Sequence, residues 1–161
     1  MPKEIFLPTY KGCLVCGQPD VNPSSLNRRF YVTENGVEVN FKADFRQAGY
    51  EGIVHGGIIT ALLDETIGWA VAVERKKFFV TAEITIRFVQ PLPINLLVTV
   101  RGRAVEHKSR YSIAEGEIID AEGTIYAKAS GKFFLMKDQD AFKVNDYLTY
   151  LKDDLNVLAE K

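Results

Sequence analysis

The feature that most constrains this chain is residues 58–73, sixteen positions without proline, mostly apolar, that carry Asp64-Glu65 near their centre. The run is longer than an ordinary strand. Leu62, Leu63, Thr66, Ile67, Ala70 and Val73 recur in it at spacings of three and four, the period of a helix. Because it is apolar nearly all round, the helix must be enclosed by other structure. The polar cluster Glu74-Arg75-Lys76-Lys77 closes it with positive charge, as suits a helix C-terminus.

On either side the pattern changes to strands. Residues 28–34 and 37–42 are short β-favouring runs around Asn35-Gly36, a strong hairpin signal. After the helix, Ala82, Ile84, Ile86 and Phe88 alternate with Thr81, Glu83, Thr85 and Arg87, predicting a half-buried strand that Pro91 and Pro93 stop. Residues 96–105, 111–119 and 124–135 are three further β-rich segments with short polar links. An antiparallel meander of these last four strands is expected, curved so as to surround one apolar helix, in an α+β arrangement. The chain divides into a CxxCG-containing segment (1–27), the main domain (28–138) and a C-terminal amphipathic helix (139–161). In the last, Phe142, Tyr147, Leu148, Leu151, Leu155 and Leu158 recur among charges that include Asp146, Asp153 and Asp154. A polar face of mixed sign suits packing on the domain or on a neighbouring subunit better than a membrane.

A chain of 161 residues, 47% hydrophobic and 25% charged, can bury one core without disulfides or metals. With 20 basic and 21 acidic residues, its bulk charge does not suggest nucleic acid as a partner. The N-terminus lacks the apolar stretch of a signal peptide, and no segment is expected to approach the length of a membrane span, so a cytoplasmic protein without a membrane partner is expected. Cys13 and Cys16 form a CxxC in a Gly/Pro/Asn-rich stretch that reads as loop, not as the strand-to-helix junction of a redox motif. His55 and His107, the only histidines, stand at no metal-ligand spacing to this pair or to each other. Neither a self-contained zinc site nor redox chemistry is expected, and the pair reads as structural or incidental.

The chemistry concentrates in His55 to Glu65, HGGIITALLDE. Gly56-Gly57 at the helix start leaves first-turn N–H groups open toward a developing negative charge. Carboxylates within an apolar helix are rare unless paired or functional. A polarising N–H and a carboxylate that activates water, or attacks directly, are what thioester hydrolysis needs. Asp64 and Glu65 point about 100° apart, so one of them faces the reacting carbon while the other faces solvent or a partner. Asp64 also lies about 10 Å along the helix from Gly57, too far for both to grip one small group. Two antiparallel helices across a two-fold axis would make a shared site. The bland alternatives are a core ion pair of Asp64 with a base such as Arg87, and a core or interface role for Trp69.

Residues 50–65, YEGIVHGGIITALLDE, resemble the signature of hotdog-fold acyl-CoA thioesterases of the phenylacetate-pathway and THEM type. The likeness extends to TAEITIRFVQPLP (81–93) and more loosely to CLVCG, covering roughly residues 13–135. The resemblance implies a hotdog fold, a long central helix wrapped by a curved antiparallel sheet, assembled as a homodimer or as a tetramer of two dimers. It implies hydrolysis of an acyl-CoA to the free acid and coenzyme A, with no cofactor beyond the coenzyme A of the substrate and no metal. Asp64 then matches the catalytic acid, and Gly57 the residue whose N–H polarises the carbonyl. His55 supports the turn, with Gly56 and Glu65 beside the substrate. Thr81 falls where some relatives place a Ser or Thr that holds the attacking water from the other subunit. Several relatives carry Asn or Gln where this chain has Gly49, so the water-positioning amide is missing here or is supplied by another group such as Gln47. The basic turn Lys108-Ser109-Arg110 could hold the phosphates of coenzyme A. An enoyl-CoA hydratase or dehydratase, and a non-catalytic acyl-CoA binding module, are the competing readings.

Overall fold

The structure, a computed structural model, describes residues 3–158. Its central helix, α1 (Gly56–Arg75), starts where His55 leaves the helical region (φ −61°, ψ 135°) and caps the first turn. It ends where Lys76 turns left-handed at φ 52°. Ile59, Leu62, Leu63, Thr66, Ile67, Ala70 and Val71 form its buried face. By length and composition α1 could cross a membrane, with a mean hydropathy of 1.4, which corrects the expectation that no segment comes near that limit. Burial of this face in the core accounts for the composition.

The face packs on one seven-stranded antiparallel sheet, and the fold is the α+β arrangement expected. Its strands are β1 (Ile5–Phe6), β2 (Tyr31–Thr33), β3 (Gly36–Lys42), β4 (Phe79–Phe88), β5 (Leu97–His107), β6 (Tyr111–Ile119) and β7 (Ile125–Leu135), in the spatial order β1-β2-β3-β5-β6-β7-β4. Val37, Val39 and Phe41 of β3, Val98 and Val100 of β5, Ala114 and Ile118 of β6, and Ala127 and Phe133 of β7 alternate onto the helix. The helix comes closest at Gly102 of β5, where a Cβ would lie 3.1 Å from Ile67 Cα. The hairpin forms with Glu34-Asn35 as its two-residue loop, and Gly36 opens β3 with φ +139°.

Three further expectations need correction. The last four strands are not one meander: β5, β6 and β7 are, but β4 pairs with β7 at the far edge of the sheet. The reason is the loop after β4, which cannot lie flat with Pro91 and Pro93 in it. It runs back past the helix start, where Val54 N–H donates to Leu92 O (2.8 Å) and Ile94 N–H to Gly52 O (2.9 Å), and enters β5 beside β3. As an edge strand β4 is less buried than its alternation suggests, with Ala82 exposed and Phe88 55% exposed. The C-terminal helix is also shorter than expected. α2 (Asp138–Tyr147) stops at an extended Leu148. Beyond it, Thr149 bridges Thr9 and Leu155 N–H donates to Phe6 O (2.9 Å). Asp154, expected on a helix surface, instead pairs with Arg29 at 2.6 Å with its side chain 4% exposed. Residues 159–161 of the expected helix lie outside the described residues.

Candidate active site

One side of α1 is bordered by the N-terminal segment, by β4 and β7 and by α2. Between them lies a cavity of about 320 Å³, lined among others by Asp64, Glu65 and Trp69 of α1, Thr81 of β4, and Cys13 and Cys16. Thr81 Oγ1 donates to Asp64 Oδ1 at 2.8 Å. The β4–β7 register shifts between Thr81 and Glu83, and such a bulge re-aims the side chains beside it. Thr81 thus reaches Asp64 of its own chain. Asp64 forms no ion pair among the described residues, so the structural alternative of an Asp64–Arg87 pair is not realised. Arg87 lines a different hollow, with Arg101, Glu115 and Glu117 of β5 and β6. There Arg101 pairs with Glu117 and Arg103 with Glu115, while Arg87 and Lys128 of the same lining form no ion pair among the described residues.

At the helix start, His55 Nδ1 accepts a hydrogen bond from Gly57 N–H at 2.8 Å, and His55 N–H donates to Gln47 O at 2.8 Å. His55 thus supports the turn as expected. Gly57 does not offer a free N–H, because the imidazole cap satisfies it. Ile58 N–H donates to His55 O (3.0 Å), so among the described residues Gly56 keeps the uncommitted donor of this turn. Gln47 Oε1 accepts from Asp44 N–H (2.9 Å) and caps a one-turn 3-10 helix, Phe45–Gln47. A side chain at Gly49 would crowd His55, since a Cβ there lies 3.1 Å from His55 Cα.

Within its own chain, Glu65 turns toward the N-terminal CxxC. Cys13 Sγ lies 3.2 Å from Glu65 Oε2, and Trp69 Nε1 donates to Glu65 Oε1 at 3.4 Å. Burial pushes the Glu65 carboxyl up to about 8, and negative charge on Cys13 adds to the effect. The Cys16 thiol, with the Cys16 and Val15 N–H groups, holds Cys13 down to about 5, while Cys16 itself is pushed up by donating to Cys13 and by burial. Sequence reasoning missed this corner because its parts lie 52 residues apart. The available signal was a CxxCG and a second helix acid, both without an assigned partner.

The Lys108-Ser109-Arg110 turn does not border the cavity. It is tied to the C-terminal end of α1, where Arg75 Nη1 donates to Lys108 O at 3.0 Å, and Lys108 Nζ pairs with Glu106 at 2.9 Å.

Comparison with known proteins agrees with this architecture. Residues 51–127 match the model of the thioesterase superfamily. A protein of Saccharolobus solfataricus that carries a provisional esterase name is 33% identical over 102 residues, 63% of this chain and 71% of its own length. Among solved structures, the thioesterase superfamily protein RHA08564 superposes with a TM-score of 0.70 at 24% identity over 77% of this chain. This chain spans 60% of the length of that protein. A Streptococcus pneumoniae protein described as a hypothetical thioesterase, solved with coenzyme A, gives 0.60 at 23% identity over 65% of this chain and 81% of its own. The fold and the helix-borne HGG-to-acid segment define a hotdog protein, and this chain belongs to the thioesterase superfamily.

Proposed function

We propose that the protein hydrolyses an acyl-CoA thioester to the free acid and coenzyme A at a site built from two copies of the chain. The observation that carries the reading is the Thr81–Asp64 hydrogen bond at 2.8 Å, which fixes a carboxylate at the wall of a cavity. In this reading Asp64 takes a proton from water, or attacks the carbonyl itself, with Thr81 holding the carboxylate in place. The carbonyl oxygen is polarised by the Gly56 N–H at the positive end of a helix. Coenzyme A bound to a relative of the same fold supports the substrate class.

Asp64 and Gly56 of one chain are eight residues apart on one helix, roughly 12 Å at 1.5 Å per residue. A second copy supplies the missing half. β4 is an open edge, and it runs beside α1 from Thr81 near Asp64 to Phe88, whose ring sits 3.3 Å from where a Gly56 Cβ would be. Pairing two β4 edges antiparallel about their middle sets the Asp64 end of one copy opposite the Gly56 end of the other. The half-exposed apolar side chains of that edge, Val80 at 51% and Phe88 at 55%, would then be covered.

A thiol-release assay across short-chain, long-chain and aryl CoA esters tests the reading. Turnover of at least one ester, abolished in a folded Asp64→Asn variant, is expected. Wild-type turnover in that variant would refute the role given to Asp64.

A further inference from the structure

The corner formed by Cys13, Cys16 and Glu65 takes no part in the reaction proposed above, yet it is built with care. Cys13 Sγ accepts hydrogen bonds from Val15 N–H (3.3 Å) and Cys16 N–H (3.4 Å). Gly17 N–H then closes the turn on Cys13 O at 3.0 Å. Glycine is required there, since a Cβ would stand 2.2 Å from that same oxygen. Backbone N–H groups aimed at a sulfur stabilise it as a thiolate, the form that ligates metals. Across from the turn, the Glu65 carboxylate has one oxygen engaged by Trp69 and the other turned to Cys13. One donor sulfur or oxygen from each of the three residues falls within 4.8 Å of the other two. No Lys, Arg or His pairs with Glu65 among the described residues, so this half-buried, acidic corner lacks a positive charge of its own.

We propose that Cys13, Cys16 and Glu65 bind one thiophilic divalent cation of the zinc class, with the fourth coordination position open to the cavity that Asp64 and Thr81 also line. Two sulfurs favour zinc over magnesium or calcium. Zinc bonds of about 2.3 Å to sulfur and about 2.0–2.2 Å to oxygen require only a small adjustment of these donors. Trp69 acts as the outer partner that orients Glu65, the usual support for a ligating side chain. Binding displaces the thiol protons, and the carboxyl proton where one is held, to solvent, with no change in oxidation state. A reversible Cys13–Cys16 disulfide would use the same sulfurs but would give Glu65 no role.

The test uses the full chain, reduced, stripped with a chelator and titrated with Co²⁺ and then Zn²⁺. One equivalent of Co²⁺ should produce intense thiolate-to-cobalt absorption in the near ultraviolet with the visible bands of a tetrahedral ion, displaced by Zn²⁺. Cys13→Ser and Cys16→Ser should each weaken or abolish the bands. Glu65→Gln should lower affinity and alter the visible bands, and Trp69→Phe should weaken binding by about tenfold. Circular dichroism checks that each variant is folded. Should a variant unfold, the wild-type titration decides alone. Absence of cobalt–thiolate absorption in the reduced wild type overturns the proposal, as does a folded Glu65→Gln variant with unchanged affinity and spectrum. The proposal does not depend on the thioesterase reading: a protein that binds cobalt but releases no thiol supports this site and sinks the other, and the reverse result does the opposite.

Discussion

At the scale of single residues, the candidate site depends on a few short polar contacts. Removing the Thr81 hydroxyl takes one hydrogen bond from the Asp64 carboxylate, and bonds to charged groups contribute about 1.5–3 kcal/mol. Thr81→Ala should therefore lower kcat by about 10–100-fold with little change in KM, and Thr81→Ser should restore it. Steady-state thiol release on the three proteins checks this, and an unchanged kcat in Thr81→Ala would remove Thr81 from the site. His55→Ala loses the side-chain cap on Gly57 and should cost about 1 kcal/mol of stability, read from urea unfolding. Asp64, His55 and the glycine pair, with Gly57 taken as the donor, could be singled out in the sequence because an apolar helix that carries acids and starts with two glycines requires an explanation. The choice between the two glycines was not legible. It depends on where the His55 ring turns, and the imidazole occupies the N–H of Gly57, leaving that of Gly56. Glu65 was legible as an oddity, but its partner was not, since no spacing rule connects a helix acid to a cysteine 52 residues earlier.

At the scale of elements, periodicity located α1 and all the main strands to within a few residues, because period 3.6 and period 2 are directly visible in the side chains. What periodicity could not supply was the order of strands in the sheet. β4 carries an alternating pattern whichever neighbour it has, and only the path of the loop through Pro91 and Pro93 sends β5 to the opposite side. α2 ended early for a similar reason. Leucines after Tyr147 keep a helix-like spacing, yet the Arg29–Asp154 pair, with Asp154 buried, and the bridge to Thr9 hold that stretch out of the helix. The contact between α1 and the sheet is tightest at Gly102, where an added Cβ meets Ile67 backbone that cannot move aside. Gly102→Ala should lower stability by about 1–3 kcal/mol, as overpacking does. Denaturant unfolding checks it, and a loss below about 0.5 kcal/mol would mean that helix and sheet fit less closely than described.

At the scale of the whole molecule, the proposed reaction needs two copies of the chain, because Asp64 and Gly56 lie toward opposite ends of the open β4 edge. Charged residues placed on that edge, as in Val80→Lys with Phe88→Lys, should yield a folded monomer by light scattering with thiol release near background. The most direct test is complementation between two inactive variants. Asp64→Asn removes the acid. Gly56→Pro removes the free N–H at the first helical position, where proline is tolerated, and leaves the helix intact. Each variant alone should be inactive. Refolded together in equal amounts, half of the dimers are mixed, and each mixed dimer holds one site with both groups intact, so about a quarter of wild-type activity should return. If the mixture stays as inactive as its components while mixed dimers form, Gly56 and Asp64 do not act across the two-fold axis, and the shared site is contradicted.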